Sequence, residues 1–308
     1  MIKTAFHASS QHTVADVIHC EGVGLHTGAP VYMAIYPAAE NHGIQFIRSD
    51  VTRAKPIPAR ADLVTETQLG TTLQRDGANK ISTVEHLMAA LWGLGVDNAR
   101  IVVDGPEVPI MDGSSAPFIA LIEATGLREQ AEERQFLEIT EKVTLQQGDS
   151  ELTLLPHDGF CVEIEIDYDH PQIARQLARY DFSHCNFDET LSAARTFGFA
   201  REVEQLRAMG LARGGSLENA VVLGDDGILN PEGLRFDDEF VRHKALDCVG
   251  DLYLTGRYIR GKVIARKPGH TINTAMAREL LTTPATALTL SGELAEHHAS
   301  TVAVYASL

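Results

Sequence analysis

Apolar and polar positions alternate through Val31-Tyr32-Met33-Ala34-Ile35-Tyr36 and again through Ile44-Gln45-Phe46-Ile47-Arg48, with a Pro/Ala/Asn/Gly turn region between them. That period of two is the signature of strands with one buried face. The pattern then changes. Residues 83–94 read as a helix stopped by Gly93 and Gly95, residues 99–103 as a strand, and a second helix begins after Asp112-Gly113-Ser114. Further along, residues 136–145, 151–155 and 160–168 look like a strand meander, and residues 188–196 and 201–209 look helical. A helix starting near residue 236, a strand at 262–266 and a last helix at 274–281 complete the pattern. Between the halves, Leu-Arg-Glu-Gln-Ala-Glu-Glu-Arg-Gln at 127–135 is charged and almost without core residues, as suits a surface linker. The expectation is an α+β protein of two similar domains, 1–126 and 136–308, each a sheet with about two helices.

Composition narrows the function more than the fold. A chain of 308 residues can bury substantial cores, and 26 Lys+Arg against 42 Asp+Glu give a net charge of -16. That charge disfavours nucleic-acid backbones and anionic bilayers as partners. Cys20, Cys161, Cys185 and Cys248 lie far apart with no C-x-x-C, so neither a disulfide framework nor a thiolate zinc knot is indicated. The first thirty residues hold no apolar core of signal-peptide length, and the longest weakly polar stretch, 87–96, is half of what a bilayer span needs. A cytoplasmic, monomeric protein without a membrane span is expected.

The candidate chemistry sits in the helix near residue 236. His243, Asp247 and Asp251 recur every four residues, while Val241, Ala245, Leu246, Val249 and Leu252 cluster on the other side. Such a helix presents an imidazole and a carboxylate to one point. With a third ligand from elsewhere, for which His86 is the candidate, the set would hold Zn²⁺ and leave a coordination position for water. A lone His-x-x-x-Asp is more often an ordinary i,i+4 surface pair. Glu85 also has a second reading, because Ser82-x-x-Glu85 ahead of an apolar stretch fits a helix capping box. Spacing alone does not separate a cap from a catalytic base.

Six segments in order carry a resemblance. Gly22-Val23-Gly24-Leu25-His26-Thr27-Gly28, Ser82-Thr83-Val84-Glu85-His86-Leu87, Pro109-Ile110-Met111-Asp112-Gly113-Ser114, Ala194-Arg195-Thr196-Phe197-Gly198-Phe199, Glu239-Phe240-Val241-Arg242-His243-Lys244 and Lys267-Pro268-Gly269-His270 resemble the zinc-dependent UDP-3-O-acyl-N-acetylglucosamine deacetylases of lipid A biosynthesis. The likeness runs from about residue 13 to 274 and is weaker in 52–80, 171–190 and after 282. It implies a β-α-α-β sandwich with the active site at the domain interface. It also implies removal of an N-acetyl group from UDP-3-O-(3-hydroxyacyl)-N-acetylglucosamine, the committed step of that pathway, giving the free amine and acetate. His86, His243 and Asp247 are implied as ligands of Zn²⁺, with Fe²⁺ a possible alternative for the same donors. Glu85 is implied as general base and His270 as general acid, oriented by Asp251, with the Thr196 hydroxyl as an oxyanion donor. Lys244, Lys267, Phe197 and Tyr168 are implied as substrate contacts, although a strand-end core tyrosine is a competing reading of Tyr168. Residues 198–222 align with the family's passage for the 3-O-acyl chain, which points to Ala212 and Gly215. His26 reads as an auxiliary site residue, and the glycines around it equally as turn formers.

Two other functions fit the same residues: a deacetylase of another N-acylated sugar nucleotide, and a zinc-binding protein without turnover. The first differs in its indifference to the 3-O-acyl chain. The second requires a fourth protein ligand closing the metal.

Overall fold

The computed structural model describes residues 8–290. It is a mixed α+β structure, so the class expected from patterning holds. Residues 1–7 and 291–308, the outer ends of the two expected domains, lie outside the described residues. Five α-helices are described: α1 Glu85–Leu94, α2 Ala116–Thr125, α3 Val203–Ala208, α4 Glu239–Leu252 and α5 His270–Leu280.

The N-terminal half is built on a five-stranded sheet in the order Ile18–Val23, Pro30–Pro37, Ala99–Val103, Ile44–Arg48, Ile57–Pro58. Ile44–Arg48 shows the expected alternation, with Ile44, Phe46 and Arg48 buried. A small sheet of Val64–Glu66, Thr72–Asp76 and Asn79–Ile81 leads directly into α1. The C-terminal half is a seven-stranded sheet. Its neighbours differ from those of a meander. Tyr258–Arg266 pairs with Ser150–Leu155 on one side, with Gln135–Ile139 on another stretch, and in parallel with Phe160–Asp167. Alternation reports which face of a strand is buried, whereas the neighbour is chosen by the connection that returns the chain through α4.

The charged stretch 127–135 is also more ordered than a linker. Leu127–Glu133 is a strand paired antiparallel with Ser10–Val14, and its side chains are almost all exposed. Backbone pairing at a solvated edge needs no apolar side chains, which is why composition did not reveal it. The helix expected at 188–196 shortens to one wide turn, Asp188–Ser192. The last helix starts at His270, four residues earlier than patterning suggested.

α1 and α4 pack against each other, joining the two halves. Gly250 permits the close crossing: a Cβ there would meet the carbonyl oxygen of Glu85, with Ala89 N at 3.2 Å. Nearly all of α4 is buried, including the row His243, Asp247 and Asp251, so the i,i+4 spacing is not a surface pair.

Candidate metal centre

His86 projects from the first turn of α1, and His243 and Asp247 from successive turns of α4; all three are buried, and their donor atoms lie within 4.8 Å of one another. His243 Nδ1 lies 3.0 Å from the carbonyl oxygen of Ala194, so Nδ1 carries the proton as donor and Nε2 is left with its lone pair. That Nε2 faces Asp247 Oδ1 at 3.3 Å, and His86 Nε2 lies 3.6 Å from the same oxygen. Asp247 Oδ1 is buried with no hydrogen-bond partner. A lone pair facing a carboxylate oxygen in a buried site is repulsive unless a cation lies between them. Two imidazole nitrogens and one carboxylate oxygen, without a thiolate, suit a divalent ion such as Zn²⁺ or Fe²⁺.

Charge is arranged to match. Burial drives the His243 pKa down to about 3 and keeps the ring neutral, as a ligand must be. Burial also opposes the Asp247 carboxylate, but with His243 neutral the Lys244 ammonium beside it outweighs that cost and holds Asp247 well below the usual carboxylate range. Lys244 Nζ sits 2.9 Å from Asp247 Oδ2. Against the cost of its own burial, that carboxylate keeps Lys244 charged.

Glu85, His270 and Asp251 form a second cluster against the first. Glu85 is the first residue of α1, preceded by Val84, and no side chain caps that helix end. The left-handed backbone of Thr83, φ 57°, breaks helical geometry just upstream. Glu85 therefore stands two positions too early for the capping box. Its Oε2 accepts the Thr71 amide at 2.9 Å, while Oε1 is 3.9 Å from His270 Nε2. Burial raises the Glu85 pKa, although His270 and His86 oppose the rise. His270 Nδ1 is 2.9 Å from Asp251 Oδ2. Burial opposes the imidazolium, yet Asp251 and Glu85 push the His270 pKa up to about 9.

A family model described as UDP-3-O-acyl N-acetylglycosamine deacetylase matches residues 11–282. The chain belongs to this family. It is 50% identical over 275 residues to the UDP-3-O-acyl-N-acetylglucosamine deacetylase of Myxococcus xanthus (strain DK1622), covering 89% of this chain and 87% of that one. The protein of the same name from Shewanella frigidimarina (strain NCIMB 400) is 50% identical over 273 residues, covering 88% and 89%. That from Shewanella violacea is 49% identical over the same span, with the same coverage.

Within this deacetylase-family member, the remaining expected residues fall into three places. Phe197 stacks edge-on with Tyr168 at 5.6 Å and with His243 at 6.3 Å between ring centroids, and Lys244 Nζ lies 5.6 Å from its ring. Lys267 pairs with Asp167 at 3.0 Å, at the end of the strand that precedes Tyr168. His26 Nε2 is 3.1 Å from the Leu69 carbonyl oxygen, and its Nδ1 faces the amide of Ala212. Ala212 and Gly215 belong to a segment docked on the Gly-rich loop, where a Cβ on Gly214 would strike the Gly24 carbonyl oxygen. The contacts of Thr196 fix its backbone, through Gly113 O and Val221 N, rather than its hydroxyl.

Several site residues escaped sequence reasoning. Thr71 lies in 52–80, where no pattern or likeness spoke. Glu107 is fully buried and accepts from His26 N, Thr27 N, Thr27 Oγ1 and Thr83 Oγ1, tying the glycine loop to the start of α1. Arg195, buried against Glu239 at 2.9 Å, holds the segment whose Ala194 carbonyl orients His243. Of the three, only Arg195 stands inside a recognised motif, where its charge was the one available signal.

Proposed function

We propose that this chain hydrolyses the N-acetyl amide of UDP-3-O-(3-hydroxyacyl)-N-acetylglucosamine in lipid A biosynthesis, with zinc as the resident ion. The observation that carries this reading is the buried donor set of His86, His243 and Asp247, with its orphaned carboxylate oxygen, directly beside Glu85 and His270 in a member of this family. When bound there, the ion supplies Lewis-acid polarisation of the amide carbonyl and makes water more acidic. The chain's own residues then handle protons. Glu85 takes a proton as water adds to the carbonyl carbon, and His270 gives its Nε2 proton to the nitrogen as the C–N bond breaks, leaving acetate and the amine. Asp251 holds the His270 ring through Nδ1 and favours the protonated form. The Thr196 hydroxyl is assigned to the developing oxyanion.

Lys244 and Lys267 are the cations assigned to the substrate's diphosphate in an otherwise acidic protein, and Phe197 and Tyr168 provide the aromatic wall beside them. Ala212 and Gly215 are assigned to the acyl passage, and His26, whose Nδ1 faces the Ala212 amide, is assigned as an auxiliary site residue. The five-stranded and seven-stranded sheets fall in separate parts of the chain, which supports a division into 1–126 and 136–308, and contact of α1 with α4 supports packing of the two as sheet to helix to helix to sheet, with one metal ligand from the first domain and two from the second. No helix among the described residues is long and apolar enough to cross a membrane, and a cytoplasmic monomer is part of the proposal. The test is acetate release from the UDP substrate with and without its 3-O-acyl chain, paired with elemental analysis. Equal rates on both substrates, or full activity in metal-free protein, would overturn it.

A further inference from the structure

One buried residue outside the recognised motifs touches both proton-handling halves of the site. Thr71 is fully buried. Its amide donates to Glu85 Oε2 at 2.9 Å, and its hydroxyl donates to Asp251 Oδ1 at 2.6 Å. Asp251 Oδ2 accepts from Asn273 Nδ2 at 3.0 Å and faces His270 Nδ1 at 2.9 Å. Each Asp251 oxygen thus has its own donors, which prevents the carboxylate from turning about its last bond. The Thr71 carbonyl accepts the amide of Val84, the residue before Glu85, so the strand entry and the helix start are tied at the same point.

We propose that Thr71 is a positioning residue for the hydrolysis, its amide setting the rotamer of Glu85 and its hydroxyl that of Asp251, so that one residue fixes the gap between Glu85 and His270. The proposal rests on the assignment of these two as base and acid. Its physical basis is that charge-assisted hydrogen bonds in a buried site are short, directional and not replaced by water. A threonine needed only for packing would be served as well by valine. A threonine that orients Asp251 would not.

The experiment compares Thr71→Val, which keeps shape and amide but removes the hydroxyl, with Thr71→Ser, which keeps the hydroxyl. Each is also combined with His270→Ala, and metal content, kcat and KM are measured. Thr71→Val is expected to bind one equivalent of metal, to keep KM within about twofold and to lower kcat by ~10- to 100-fold, less than the loss of the general acid itself. Thr71→Ser should stay within about threefold of the parent. In the His270→Ala background the valine change should cost nothing further, because the group it orients is gone. Thr71→Ala carries the same expectations if the valine variant fails to fold. Parental kcat in the valine variant, equal loss in the serine variant, or losses that multiply with His270→Ala each overturn the proposal. Near-parental rates in His270→Ala and Glu85→Gln would instead overturn the acid and base assignment.

Discussion

Gly250→Ala offers a test of how tightly the helix crossing sets the chemistry. A Cβ at Gly250 would lie 3.0 Å from the carbonyl carbon of Glu85 and 3.2 Å from Ala89 N, with the Glu85 oxygen nearer still. Carbon atoms in contact prefer 3.5–4.0 Å, so the carbon contact alone makes α1 retreat from α4 by roughly 0.5–1 Å, a lower bound because the nearer Glu85 oxygen asks for more. The neighbour is helix backbone and cannot rotate aside. Two energies compete in stability: overpacking costs ~1–3 kcal/mol, while alanine gains ~1 kcal/mol over glycine within a helix. The net is a loss of roughly 0–2 kcal/mol, or at most about 4–8 °C in Tm. Activity has no such compensation. Glu85 and His86 ride on α1 and His243 and Asp247 on α4, and misplacement of about 1 Å between reacting groups costs on the order of 10²-fold. The expected variant is therefore folded, lower in Tm by no more than about 4–8 °C, and ~10- to 100-fold lower in kcat. Steady-state kinetics on metal-replete protein, with a thermal melt, measure both. If Gly250→Ala keeps kcat within twofold of the parent, the crossing does not set the site geometry and the reasoning fails.

The remaining predictions concern the ion, the protons and the acyl chain. His86→Ala, His243→Ala and Asp247→Ala should each lose stoichiometric metal by elemental analysis, and full occupancy in all three would remove the ligand assignment. Activity should need Glu85 ionised and His270 protonated together, giving a bell-shaped kcat/KM profile. Burial sets the acidic limb above the ordinary carboxylate range, and Asp251 and Glu85, against burial, place the basic limb near 9, where His270 loses its proton. His270→Asn should abolish that basic limb, and an unchanged limb would exclude His270 as the acid. Gly215→Leu should impair long-acyl substrates more than short ones. A Cβ there meets only ordinary contacts, 3.4 Å from Ala212 O and 3.7 Å from Leu25 Cδ1, so the backbone tolerates it. Equal loss for both chain lengths would take Gly215 out of the passage.

What was legible in the sequence was what depends on neighbours along the chain. Strands such as Ile44–Arg48 show themselves because alternation is a local period, and the row His243, Asp247, Asp251 shows itself because a helix repeats nearly every four residues. The same local logic was silent on facing. It could not tell that this polar row turns inward, because burial depends on what packs against α4, and α1 arrives from more than 150 residues earlier in the chain. Glu85 shows the limit most clearly. Its spacing from Ser82 fits a cap and a catalytic base equally, and the question turns on the left-handed backbone of Thr83 and on the amide of Thr71, which swings the carboxylate toward His270. Thr71 itself left no trace in the pattern, since a threonine just ahead of a strand is unremarkable until folding sets Asp251, 180 residues away, against its hydroxyl. Residue types and local periods therefore announced which chemistry was available. Long-range packing decided which of those groups meet, because hydrogen bonds and metal coordination act over a few ångströms of space and are indifferent to separation along the chain.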